Sequence, residues 1–248
     1  MIKVVVVGAC GRMGGEVARL IIEQNDMKLI AGVEAAGHPL LGTAIGSGFV
    51  VADLSRFLCP TVDSRQPIAD VVVDFSIPDA VIENVQRCVQ AGKPFITGVT
   101  GLNETQMQAL KTASEKIPVV YAPNFSVGVC VLARLVVEAS ALLQEDYDVH
   151  IIETHHKRKK DAPSGTAKML LEKIKAKIGE REVGMSSIRT GDVVGEHKVI
   201  FGGPGERLEL THKAESRVAF AAGVITAIRF VQNRPPGFYS IADILKKG

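Results

Sequence analysis

The 248-residue chain predicts an α/β fold, a doubly wound parallel sheet followed by a region of α+β character. Three observations carry that prediction. The chain starts with a β-branched apolar run that breaks into glycines. Strand-length apolar runs then alternate with helix-length segments as far as Asn124. Beyond Asn124 the alternation gives way to one long apolar helix and to short strand-like runs between Gly-rich turns.

In order, Ile2–Val7 is apolar almost throughout, as a strand buried on both faces requires. A glycine cluster follows, and the stretch 16–24 carries Val17, Leu20 and Ile21 at helical spacing. Met27–Val33 is a second strand, ending at Glu34, and Gly37 to Gly48 reads as a Gly-rich connection. Val71–Phe75 is a strand, 79–91 a helix opened by Pro78, Pro94–Thr97 a strand, 105–116 a helix, and Val119–Tyr121 a strand. The spacing then predicts a helix over 127–143, a strand over 149–153, and a Lys-rich helix over 167–178. Shorter strands follow at 188–189, 196–201 and 207–212, a helix at 219–231, and a closing helix at 241–247. Two domains are expected, residues 1–125 and 126–216, with residues from about 217 to 248 returning to the first. No internal repeat is evident.

Composition excludes several function classes. Hydrophobic residues are 46% and charged residues 23% of the chain, which gives disorder no support. Lys+Arg number 29 against 27 Asp+Glu, so the net charge of +2 offers no general attraction to nucleic acid or membrane. The four cysteines, Cys10, Cys59, Cys88 and Cys130, are widely spaced, which suits reduced thiols rather than a disulfide framework or a zinc site. Ile2–Val7 is too short for a signal-peptide core or a membrane span. A soluble, cytoplasmic protein is expected.

Gly8-Ala9-Cys10-Gly11-Arg12-Met13-Gly14 lies between the first strand and the first helix. A first glycine there permits a tight turn, a second lets backbone approach a pyrophosphate, and a third allows close helix–strand packing. The helix start adds unpaired N–H groups and a partial positive charge. The spacing GxxGxxG is looser than the commoner GxGxxG, and such loops also join strand and helix in proteins that bind no nucleotide. Context strengthens the reading: Glu34 lies 20 residues after Gly14, at a strand end, where an acid can hold the ribose hydroxyls of a dinucleotide. Its carboxylate favours a free 2′-hydroxyl, and the neighbours Ala35 and Ala36 offer a 2′-phosphate no cation. NAD(H) preference with NADP(H) tolerated is the expectation. Cys10 has no base near it in sequence and is assigned no catalytic part.

The densest polar stretch runs from Glu153 through His155, His156, Lys157, Arg158, Lys159, Lys160 and Asp161 to Pro163, Ser164, Gly165 and Thr166. A basic run of this kind is most often a solvated face, and a His-His pair is more often structural than catalytic. The two histidines point different ways and lack a third ligand in sequence, so no metal is expected. The combination is more informative than its parts. Backbone N–H groups, a Thr hydroxyl and a helix start, beside several cations, suit an anionic substrate. A histidine can exchange protons near neutral pH, and neighbouring cations should lower its pKa.

These motifs resemble the 4-hydroxy-tetrahydrodipicolinate reductase (dihydrodipicolinate reductase) family. The resemblance rests on the Gly8–Gly14 loop, Gly98-Val99-Thr100-Gly101, Ala122-Pro123-Asn124-Phe125-Ser126 with Gly128, and the His155–Thr166 segment. Gly191 to His197 and Glu206 to Lys213 extend it, in the family's order over essentially the whole chain. It implies a Rossmann domain and a mixed-sheet domain for substrate and for the contacts of a homotetramer. The implied reaction is the NAD(P)H-dependent reduction in the diaminopimelate route of lysine biosynthesis, on a small cyclic dicarboxylate. By position, the resemblance makes His155 a proton donor or acceptor and Lys159 a proton donor. His156, Gly165 and Thr166 would hold a substrate carboxylate. Gly8, Ala9, Cys10, Gly11, Arg12, Met13, Glu34, Gly98, Val99, Thr100, Ala122, Pro123, Asn124 and Phe125 would line the cofactor. Two other readings share the glycine loop. An amino-acid dehydrogenase of the same architecture would not need the His155–Thr166 motif, and a dinucleotide-sensing DNA-binding regulator would need a DNA-reading module, of which the sequence shows none.

Overall fold

A computed structural model describes residues 1–59, 67–143 and 145–246. The chain forms two compact units, residues 1–125 with 220–248 and residues 126–219.

The first unit begins with β1 (Ile2–Val7), α1 (Arg12–Ile22) and β2 (Met27–Val33). The short strands β3 (Ala44–Ile45) and β4 (Gly48–Val51) form an antiparallel hairpin that starts inside the stretch that reads as a Gly-rich connection and ends just beyond it. A two-residue strand leaves no period for sequence to show. Then come β5 (Val71–Asp74), α2 (Pro78–Ala91), β6 (Phe95–Thr97), α3 (Glu104–Ser114) and β7 (Pro118–Tyr121).

The second unit contains α4 (Val127–Leu142), β8 (Asp148–His155), α5 (Gly165–Ile178), β9 (Val183–Arg189), β10 (Gly195–Gly203) and β11 (Glu206–Ala214). The chain then completes the first unit with most of α6 (Val218–Val231), with β12 (Gly237–Tyr239) and with α7 (Ile241–Ile244).

The first unit's sheet has the order β12-β7-β6-β5-β1-β2-β4-β3, parallel except at the β3–β4 hairpin. The valine run of β1 explains its two-sided cover. Val4 and Val6 join one apolar cluster, with residues of α1 and α6; Val5 and Val7 join another, with residues of α2 and α3. Each fully enclosed valine contributes about 1.5–3 kcal/mol, so a strand with no polar face requires helices on both sides. The strand order reverses at β1, between β2 and β5, which makes the carboxyl edge there the place for a ligand.

The second unit is a mixed sheet of order β11-β10-β8-β9, with β10 antiparallel to both neighbours and β8 parallel to β9. Leu132, Ala133 and Val136 of α4 and Leu170 and Ile174 of α5 pack on Val149, Ile151, Val199 and Phe201 of the sheet. Strand alternation carries the same face onward to polar residues. Along β8 the buried positions are Val149, Ile151, Glu153 and His155, and along β10 they are Gly195, His197, Val199 and Phe201. The covered face is thus apolar at one end and ionisable at the other.

Candidate active site

In the first unit, the predicted cofactor residues lie in loops that follow β1, β2, β6 and β7, all at the carboxyl edge of parallel strands. Gly8 has φ +74°, and a Cβ there would sit 2.5 Å from the Phe75 carbonyl oxygen, so both conformation and space demand glycine. A Cβ on Gly14 would meet the Gly8 carbonyl oxygen at 1.9 Å, which is the close helix–strand approach expected of a third glycine. Gly11 caps α1 with extended backbone and no side chain closes the helix start. The first turn also carries no acid, leaving its N–H groups and positive end of the helix dipole available to an anion. Arg12 is exposed, Met13 is half-buried and Ala9 is buried in the core.

The Glu34 carboxylate reaches back to the loop and accepts the Cys10 N–H at 2.6 Å. The Cys10 thiol is pushed up by burial first and by the Glu34 charge second, so it resists ionisation. Among the described residues, Cys10, Glu34 and His38 have potential ligand atoms within 4.8 Å of one another, and no such group includes His155 or His156. Gly98 lies against Phe75, whose ring would be 2.3 Å from a Cβ at that position. Val99 is buried and Thr100 exposed. Ala122 and Phe125 are buried, Pro123 is exposed, and the Phe125 ring meets Phe75 edge-on at 6.1 Å.

In the second unit, β8 runs two residues further than the sequence suggests, so His155 is the last strand residue and points into the covered face. Its Nδ1 bonds the carboxylate of Glu153, two residues earlier on the same face. Glu153 is fully buried and held by Arg189 of β9 in a bidentate pair, at 2.6 and 2.9 Å. The Ser164 N–H adds a third contact at 3.2 Å. Burial pushes the Glu153 carboxyl up, but the hydrogen bonds of Arg189, Ser187 and His155 outweigh it and bring it down to about 2. An ionised carboxylate only accepts, so the proton of a neutral His155 sits on Nδ1 and Nε2 is left for chemistry. Nε2 faces Gly195, where even a methyl group would come within 3.1 Å.

The His155 pKa is lowered, and the leading cause is burial rather than the neighbouring cations that sequence suggests. Glu153 opposes that shift, while Lys159 and Arg189 add to it. His156 is half-buried, and its Nδ1 is enclosed without a hydrogen-bond partner among the described residues. Lys159 pairs with Asp161 at 2.8 Å and Arg158 with Asp192 at 2.8 Å, while Lys157 and Lys160 are exposed. α5 starts two residues earlier than its apolar spacing implies. Ser164 caps it by accepting the Ala167 N–H at 3.2 Å, which makes Gly165 and Thr166 its first two residues. The Ser164 Oγ also lies 3.0 Å from His197 Nε2.

His155, His156, Lys159, Gly165 and Thr166 therefore all lie at the junction of β8 and α5, within one unit. Sequence reasoning names Glu153 and Ser164 within the polar stretch and His197 in the resemblance, but gives none of them, nor Arg189, a part in the site. The signal for Glu153 is present in the alternation Val149, Ile151, Glu153, His155, where a charge occupies a core-facing position.

Comparisons with known proteins identify the relatives of the chain. The model of dihydrodipicolinate reductase, N-terminus, matches residues 2–125, and that of dihydrodipicolinate reductase, C-terminus, matches residues 128–245. The 4-hydroxy-tetrahydrodipicolinate reductase of Methanothermobacter thermautotrophicus is 41% identical over 274 aligned positions, covering 99% of both chains. The protein of the same name from Anaeromyxobacter sp. (strain Fw109-5) is 41% identical, with 99% of this chain and 98% of that one covered. A solved structure of dipicolinate-bound dihydrodipicolinate reductase from Paenisporosarcina sp. TG-14 has a TM-score of 0.80 at 26% identity, covering 97% of each chain. The chain belongs to the dihydrodipicolinate reductase family of oxidoreductases.

Proposed function

We propose that this chain reduces 4-hydroxy-tetrahydrodipicolinate to tetrahydrodipicolinate with a nicotinamide cofactor, in the diaminopimelate route to lysine. The observation that carries the reading is the buried His155, paired with Glu153 and set beside His156 and the start of α5. A proton-exchanging group and an anion-binding helix start there share one site. The relatives' names and the dipicolinate bound in the Paenisporosarcina structure support a dicarboxylate as the substrate class.

The residues of the first unit fit the cofactor. Gly8 and Gly14 keep backbone where side chains would intrude, the start of α1 is open to a pyrophosphate, and Glu34 stands ready for ribose hydroxyls. When bound, the nicotinamide supplies the hydride. Gly98 to Thr100 and Ala122 to Phe125 complete its lining. Glu34 favours NADH, because a 2′-phosphate would meet its carboxylate, and NADPH is tolerated.

The second unit supplies the rest. His156, the N–H of Gly165 and Thr166 hold one substrate carboxylate, and the local excess of cations balances the other. Loss of the hydroxyl with a neighbouring C–H proton, as water, gives the conjugated imine, and hydride addition to it leaves a carbon that must gain a proton. His155, when protonated on both ring nitrogens, delivers it from Nε2, and Lys159, released from Asp161, donates or replenishes it. Residues 1–125 and 217–248 thus serve the dinucleotide, and 126–216 the substrate and oligomer contacts. Exposed Val131 and Leu135 on α4, with Ile188 on β9 and Leu208 on β11, support a homotetramer built through this unit. The free cysteines and the absence, among the described residues, of a helix long and apolar enough to cross a membrane support a cytoplasmic enzyme.

The test couples an upstream synthase, which generates the substrate, to this chain and follows NADH absorbance. Substrate-dependent NADH oxidation is expected. None with either nucleotide overturns the proposal.

A further inference from the structure

The reductase reading leaves Glu153 without a part, yet it is fully buried. A buried carboxylate is retained only when its partners offset the loss of water. Here both oxygens are used, and for different ends. Oε2 takes the His155 Nδ1–H and Arg189 Nη1, while Oε1 takes Arg189 Nη2 and the Ser164 N–H. Arg189 is itself tied down, because its Nη2 also donates to the Asp161 carbonyl at 2.6 Å and its Nη1 to the Ile188 carbonyl at 2.8 Å. One carboxylate therefore joins the histidine, the cap of the substrate-side helix and a clamped arginine on the next strand.

We propose that Glu153 is the positioning residue for His155 and that Arg189 governs how strongly it acts. Glu153 fixes the Nδ1–H tautomer and aims Nε2 at the substrate, and the two charges bias the imidazole's proton affinity in opposite directions. The inference rests on the reading of His155 as the proton donor. Its logic is that of carboxylate–histidine pairs in general, where the partner of one ring nitrogen decides what the other can do.

The charged and titratable groups around His155 come from every packed element. Glu153 lies on its own strand, Lys159 in the loop that follows, and Arg189 on β9. His197 on β10 stands edge-on to the His155 ring, and His212 on β11 pairs with His197 across the strands. Glu153 raises the affinity of His155 for a proton, and Lys159 and Arg189 lower it. Removing Glu153 and removing Arg189 must then move the titration of His155 in opposite senses. A residue that merely holds the fold would not produce that signature.

The experiment measures the pH profile of kcat/KM and, separately, the ring nitrogen NMR signals of His155 in the intact protein. The wild-type chain is compared with Glu153→Gln, with Arg189→Gln and with the double variant. For Glu153→Gln, the alkaline limb moves to lower pH and activity above neutrality falls by about 10–100-fold, recovering as pH is lowered. For Arg189→Gln, the limb moves to higher pH. Because Glu153→Gln strands the arginine charge, the double variant provides a form with no unpaired charge in the core. It should titrate near the wild-type value, and a Glu153→Leu/Arg189→Gln chain, which keeps no acceptor at that position, should lose the Nδ1–H tautomer preference. Shifts of the same sign in both single variants, or a uniform loss of activity with no shift, overturn the proposal, as does an Nδ1–H preference that persists in the Glu153→Leu/Arg189→Gln chain. If the wild-type chain turns over no substrate, the reductase reading fails, and the NMR titration still decides whether Glu153 positions His155.

Discussion

The ring of His197 stands edge-on to the ring of His155, with centroids 5.2 Å apart and planes at 75°. His197 is 3% exposed, and its Nδ1 has no hydrogen-bond partner among the described residues. Burial first, and then the nearness of His155, bring the His197 pKa from 6.5 down to about 4. A base whose pKa falls on folding stabilises the fold above its unfolded pKa and loses that contribution as pH falls. Between pH 6.5 and 4 this residue should therefore withdraw about 3 kcal/mol of stability. His155 and His212, also lowered by burial, act in the same sense as pH falls below 6.5, and Glu153 adds its loss only below pH 4.5. Urea unfolding at pH 7 and pH 5 should show the fall. His197→Gln should flatten it, and an unchanged slope would exclude His197 as a contributor.

His155→Gln and Lys159→Ala should each reduce kcat by about two to four decades, the usual scale for general acid–base groups. Steady-state NADH oxidation measures this directly. Near-wild-type kcat in both variants would remove the assigned proton-transfer roles.

Gly195→Ala places a methyl group about where the His155 Nε2 faces, at 3.1 Å. Gly195 has no left-handed backbone requirement, so the fold should tolerate the change. The expected result is a tenfold or greater loss of kcat/KM, on the order of 1–2 kcal/mol at the transition state, with a melting temperature close to wild type. An equal loss in stability would show that the methyl group disturbs the sheet instead.

Gly14→Ala and Gly11→Ala separate two uses of glycine in one loop. A Cβ at Gly14 would be 1.9 Å from backbone oxygen, whereas one at Gly11 would be 3.2 Å away. The Gly14 substitution should cost about 3 kcal/mol of stability, at the upper end for overpacking, and the Gly11 substitution well under half of that. Thermal unfolding without ligand reads both, and equal losses would contradict the geometry.

Glu34→Ser should narrow the preference for NADH over NADPH by at least about tenfold, through a lower KM for NADPH. It also removes the acceptor of the Cys10 N–H, so the KM for NADH should rise. If the ratio of the two nucleotides stays fixed, the carboxylate does not set the preference.

The sequence makes the parallel sheet legible because β1 and β5 have no polar face to spare, and it makes the helices legible because their apolar spacing is regular. The β3–β4 hairpin and β12 escape notice for the opposite reason, being two to four residues long with no repeat to detect. The site divides in the same way. His155, His156 and Lys159 crowd one segment and announce themselves. Glu153 stands in that segment too, but its importance depends on Arg189, 36 residues later, and on the register that sets the two strands side by side. His197 shares its face with Glu153 through a pairing 44 residues apart, which no local pattern encodes. The origin of the His155 shift is invisible for a related reason: cations can be counted in a sequence, whereas burial is a property of the packed sheet.

The return of α6 and β12 to the first unit has a consequence for the order of folding. Ala221, Val224, Ile225, Ala227, Ile228 and Val231 fill one face of a core whose strands, β12 apart, end at residue 121. At ribosomal speeds of about 5–20 residues per second, the intervening stretch takes on the order of 5–20 s to emerge. During that interval the first-made sheet has helices for one face and only α1 for the other. The unit at the start of the chain is the last to be finished, and Gly223, which would clash with the Phe125 carbonyl if it carried a Cβ, lies where the late helix must seat against the waiting strands.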